Sequence, residues 1–163
     1  MRYLIWIGVG LWSLTVLQCA SAPPPPPSAD MHIRNGIRML KRGDCAGAEA
    51  QFERALRLEP LRLKALYGAA VSELACGKDH QAETHLYEAL RVARTGTWKA
   101  RIHATLAYLY DLTGHPRKAR HHWRQAMILD VTNALVKRYG PGHRHRHRHP
   151  RGSVDIFILW LEP

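Results

Sequence analysis

The chain has 163 residues, with 24 Lys and Arg against 13 Asp and Glu, and so carries a net charge of +11 at neutral pH. Length and composition fit one small domain with appendages and exclude two independent cores. The positive surplus is not confined to one end, because residues 28–142 hold 19 basic and 11 acidic side chains. In a cytosolic protein that balance would argue for nucleic acid, but no aromatic-plus-basic binding motif accompanies it.

The first element is an address. Arg2 precedes an apolar run from Tyr3 to Leu17, about 15 residues, which is short for a membrane span and suited to a secretory signal. Val16-Leu17-Gln18-Cys19 follows, then Ala20-Ser21-Ala22 and an unbroken run from Pro23 to Pro27. This arrangement resembles a bacterial lipoprotein signal over residues 1–18, which implies that Cys19 is lipidated and becomes the first mature residue. Gln18 departs from that family, which prefers a small residue before the Cys. Rival readings are an uncleaved inner-membrane anchor and a soluble periplasmic protein, although cleavage after Ala22 would leave Pro23 first, a poor substrate for the ordinary peptidase. Ala20 beside the Cys, in place of Asp, resembles the outer-membrane pattern, so the expected location is the periplasmic face of the outer membrane. Residues 19–28 then form a disordered spacer, its five prolines extended as polyproline II at about 3 Å per residue.

Three copies of one pattern follow, each reading Gly-x4-Ala-x3-large-x2-Ala-large. They are Gly43, Ala48, Phe52, Ala55, Leu56; Gly77, Ala82, Leu86, Ala89, Leu90; and Gly114, Ala119, Trp123, Ala126, Met127. A glycine that ends a helix accepts the left-handed conformation a C-cap requires, and the run after it keeps a helical face. The alanines mark where neighbouring helices come closest, and the large residue between them fills the gap. Seven residues before each glycine stands another small residue, Gly36, Ala70 and Ala107. The unit is therefore a helical hairpin, recurring with glycines 34 and then 37 residues apart, one period plus a three-residue insertion.

At these residues the chain resembles the tetratricopeptide repeat family. Glu59-Pro60 stands where that family ends its unit with an acid and a proline, whereas Arg94 and Val131 replace the proline in the other copies, and Glu73 occupies an inner site held by Met39 and Tyr110 elsewhere. The resemblance implies an all-α fold, a short right-handed solenoid with repeats at 29–62, 63–96 and 100–133. A capping helix at 134–140, carrying Leu135 and Val136 and stopped by Gly140-Pro141, would close the stack. In such a stack Cys45 and Cys76 lie on turns at the same edge, within reach of a disulfide. The alternative is two small buried hydrophobes.

The resemblance also implies a binding face, because the first helix of each unit lines the concave side. The expected groove residues are Arg34, Ile37 and Lys41, then Lys64, Tyr67 and Val71, then Arg101, Ala104 and Tyr108. Such a groove is basic and partly aromatic, fitted to a segment with acidic residues beside apolar anchors, Tyr67 and Tyr108 supplying residence. Ile33 and Ile37 stand where the family's carboxylate clamp places Lys and Asn, so a free C-terminus is not the favoured target.

Residues 141–163 change character. His143, His145, His147 and His149 alternate with Arg144, Arg146 and Arg148, so an extended chain would place the imidazoles on one side and the guanidinium groups on the other. Four imidazoles could hold Zn, Ni or Cu weakly against three opposing charges; the blander reading is a disordered basic tail that touches anionic surfaces. The apolar run Val154-Asp155-Ile156-Phe157-Ile158-Leu159-Trp160-Leu161 is β-prone and too short to cross a bilayer. Three readings are open: it packs back on the repeats, pairs with a partner's strand, or is an accidental extension of the reading frame.

No catalytic constellation emerges, neither a phosphate-cradling loop nor a nucleophile with its base. His80 with His85, and His121 with His122, read as solvated surface histidines. The sequence thus points to a non-catalytic, lipid-anchored adaptor of the cell envelope that needs no cofactor, with a protein partner, a membrane attachment and contacts to anionic envelope polymers. The alternatives are a pilotin-like or secretion-system accessory lipoprotein and a periplasmic metal-binding protein that uses the His-rich tail.

Overall fold

The computed structural model describes residues 27–140 and 155–161, and these residues are all-helical apart from short connections. The helices are α1 (Ala29–Lys41), α2 (Cys45–Leu58), α3 (Leu63–Cys76), α4 (Asp79–Val92), α5 (Gly96–Leu112), α6 (Pro116–Leu129), α7 (Ala134–Tyr139) and α8 (Asp155–Leu159). They pack in adjacent pairs, α1 on α2, α3 on α4 and α5 on α6. Further contacts run from α2 to α3, from α4 to α5 and from α1 to α3.

Each pair is closed by the same device. Gly43, Gly77 and Gly114 have φ of 77°, 76° and 77°, the only positive values among the described residues. The residue after each glycine donates its N–H back to a carbonyl of the last turn: Asp44 to Met39, Lys78 to Glu73 and His115 to Tyr110. This double-bonded ending satisfies carbonyls that the helix itself leaves open and turns the chain sharply into its partner helix. Ala48, Ala55, Ala82, Ala89, Ala119 and Ala126 are buried at the resulting interfaces, with Phe52, Leu86 and Trp123 between them.

Phe52 shows how tight one interface is. Its ring lies between Gly36 on α1 and Gly68 on α3, where an added Cβ would come within 2.8 Å and 2.2 Å of ring carbons. No larger residue fits at either position while the ring stays in place. At the same α2–α3 junction Cys45 and Cys76 are bonded, with Cα atoms 5.7 Å apart, which ties the start of α2 to the end of α3.

Two features depart from the sequence reading. The three-residue insertion does not lie between units; it extends α5 at its N-terminus, so that this helix starts at Gly96, not at residue 100, and runs for 17 residues. Thr95 caps it by accepting from the Trp98 N–H, so the extra turn is properly ended. The apolar C-terminal run, expected to be β-prone, forms the helical turn α8 instead. Phe157, Ile158, Trp160 and Leu161 are buried while Leu159 is exposed. Helical geometry gathers the four on one side, whereas a strand would divide them between two faces.

Candidate functional site

The residues expected to line a groove lie on α1, α3 and α5, but the aromatic ones among them do not face solvent. Tyr67, Val71, Ala104 and Tyr108 are all buried. Among the basic residues, Arg34 and Lys41 are exposed and Lys64 and Arg101 are half-buried, as is Ile37. Part of the cover is the chain's own C-terminal turn, which packs against α1 and α3 and meets α5 through Arg101 and Tyr108, while Tyr139 of α7 lies on the Tyr108 ring at 5.4 Å.

An aromatic cage receives it. Phe157 meets the Tyr108 ring edge to face with centroids 5.3 Å apart, and Trp160 lies 6.3 Å from the Tyr67 ring. The Arg101 guanidinium stands 5.1 Å from the Trp98 ring centroid and 5.8 Å from that of Trp160, so one cation serves two indoles. Its Nη1 also donates to the Trp160 carbonyl at 3.4 Å, capping a backbone group that the short turn leaves open. On the α5 side Tyr67 meets Trp98 edge to face at 5.6 Å, and its hydroxyl is hydrogen-bonded to Thr105 Oγ1 at 2.9 Å. Burial drives the Tyr67 phenol well above its ordinary range and pushes Tyr108 up to about 12, so both rings stay neutral as packing groups.

A second cluster lies where α4, α5 and α6 meet. His103 and His122 face one another with Nδ1 atoms 2.9 Å apart, a contact that requires one of the two nitrogens to lack its proton. His122 Nε2 is 3.3 Å from the Tyr87 hydroxyl, which is also 3.1 Å from the Tyr110 hydroxyl, and Tyr110 in turn donates to Glu83. Burial, with His103 and His121 nearby, pushes His122 down to about 4, and burial lowers His103 as well. Lys118 sits 4.9 Å from the Tyr110 ring centroid. The reading of His122 as a solvated surface residue is therefore corrected: it is buried against two tyrosines. His85 is corrected too, because its Nδ1 lies 2.8 Å from the buried Glu73 carboxylate, whose hydrogen bond raises the imidazole above its usual pKa. That pair explains how an acid is tolerated at the inner site where other copies carry Met39 and Tyr110.

Among the described residues no group of three or more His, Cys, Asp or Glu is arranged to hold a metal ion, and no helix is long and apolar enough to cross a membrane. Cys19 and the tail histidines His143, His145, His147 and His149 lie outside the described residues. Sequence reasoning missed Trp98, Phe157 and Trp160 as members of the site. Trp98 was hidden in the insertion, and the only signal for the other two was an apolar run with nothing assigned to cover it. No protein-family model matches this chain, and no curated protein matches it either.

Proposed function

We propose that this chain is a non-catalytic adaptor of the bacterial cell envelope, built as a short right-handed solenoid of three tetratricopeptide-type hairpins with α7 as its cap. In this reading Cys19 carries the lipid that holds it to the outer membrane, and the proline run spaces the repeats from the bilayer. The partner is a protein segment bound on the face of α1, α3 and α5. One observation carries the proposal: that face already receives a short amphipathic turn through aromatic rings and an arginine, which are the chemistry of segment recognition. Arg34, Lys41 and Lys64 around it add a positive rim that favours acidic segments.

The test is a charge reversal away from the cage. Arg101 is a poor choice, since it holds Trp98 and Trp160 and its loss would disturb α8 as well. Arg34→Glu with Lys64→Glu leaves those contacts in place. We expect this variant to lose the partner recovered by affinity purification from crosslinked envelopes, with unchanged helicity by circular dichroism. Recovery of the same partner in undiminished amount would place its site elsewhere.

A further inference from the structure

We infer that residues 155–161 are the groove's resident ligand, and that the partner displaces them with a short helical segment of the same kind. This deepens the proposed function and rests on it. The segment named is one turn of helix with apolar side chains at positions i, i+1, i+3 and i+4, aromatic at i and i+3, and an acid at either end.

The chemistry comes from what the groove holds. Phe157 and Trp160 are the aromatic pair at i and i+3, Ile158 and Leu161 complete the buried side, and Leu159 is exposed. In the sequence Asp155 and Glu162 flank these anchors. The receiving side matches that pattern: Tyr108 meets the first ring, Tyr67 the second, and Arg101 both the second ring and its carbonyl. Because a helical turn of five residues has almost no stability alone, α8 owes its conformation to this cage.

Attachment differs from that of the other helices. α1 to α6 are joined by short connections and buried alanines, whereas α8 follows residues 141–154, and the described contacts that hold it are side chains on the shared face and a hydrogen bond from Arg101. Releasing it breaks the Arg101 hydrogen bond but none of the described backbone hydrogen bonds of α1 to α6. It does uncover the parts of Tyr67 and Tyr108 that meet Trp160 and Phe157, and a segment with equivalent rings restores what is lost. A tethered occupant also lowers the apparent affinity of any competitor by the fraction of time the groove is filled, so weak segments are rejected.

The probe is a fluorescently labelled peptide copying residues 154–163, titrated into the full chain and read by anisotropy. The full chain carrying Phe157→Ala and Trp160→Ala should bind it at least about ten-fold more tightly than the unaltered chain does. The same peptide bearing both alanines should bind neither. Since the doubly substituted chain could lose its fold, hydrogen exchange on the unaltered chain is the second measurement. Saturating peptide should release the amides of Trp160 and Leu161 while those of α3 and α5 stay protected. The inference is overturned if the resident turn stays protected in saturating peptide, if the two chains bind the peptide equally, or if the altered chain forms a concentration-dependent dimer through a second copy. Should the peptide behave as expected while partner recovery survives Arg34→Glu and Lys64→Glu, the groove is a segment site but the adaptor reading fails. The reverse pattern leaves the adaptor reading standing and removes the resident-ligand inference.

Discussion

Between the first and second helix pairs, Phe52 is wedged against two glycines, Cys45 is bonded to Cys76, and Lys78 meets Glu49 at 2.7 Å. Between the second and third pairs, hydrogen bonds bring together Tyr67 with Thr105, Tyr87 with Tyr110, and Tyr87 with His122. Ring packing and sulfur set the first junction apart, although it also holds the Lys78–Glu49 ion pair, and hydrogen bonds among tyrosines, a threonine and a histidine set the second apart. A shared spacing pattern therefore dictates where helices meet but not what holds them. The first junction should answer to cavities and redox conditions, and the second to pH.

The largest effect expected is from Phe52→Ala. Removing a fully buried ring from between two backbones should cost about 3–5 kcal/mol in urea unfolding at pH 7. A loss below about 1 kcal/mol would show that α1 and α3 simply close over the gap, and the packing contrast between the junctions would disappear.

Reducing the Cys45–Cys76 bond should remove roughly 3.7 kcal/mol, the chain-entropy value for a loop of this length, with the sequence separation being 31. Hydrogen exchange in the reduced protein should accelerate first in α2 and α3, leaving α5 and α6 protected. Uniform acceleration would mean that the two junctions unfold as one unit.

The smallest effect is the pH response of the second junction. His122 and His103 have pKa values lowered by burial, so the unfolded chain takes up protons that the folded chain refuses. Stability should thus fall as pH drops from about 6.5 towards 4, by on the order of 1–2 kcal/mol. His85 works in the opposite sense: its raised pKa gives a contribution fully present below about 6.5 that is lost as pH climbs through the folded value. His122→Gln should flatten the acid limb of the stability profile. An unchanged acid limb in that variant would assign the loss to other groups.

Periodicity alone located the hairpins, because Gly43, Gly77 and Gly114 mark the one backbone conformation that side-chain-bearing residues resist, and the alanines mark the closest helix approach. That information is local, and it survives in a linear string. Cys45 and Cys76 could be placed on one edge for the same reason, since each sits at a helix end set by the pattern. What lay beyond reach depended on neighbours distant in the chain. Gly68 is required only by the ring of Phe52, which comes from another helix. Trp98 acquires its role only because a three-residue insertion adds a turn to α5 and aims the indole at Tyr67 and Arg101. Most of all, Phe157 to Leu161 has a local preference for strand, and the decision went the other way because only a helical turn buries four apolar side chains on one side against the cage. The sequence by itself determined where the helices turn and meet; the tertiary structure decided that the C-terminal turn packs on α1, α3 and α5, since burial of apolar surface outweighs the weak local propensity of so short a segment.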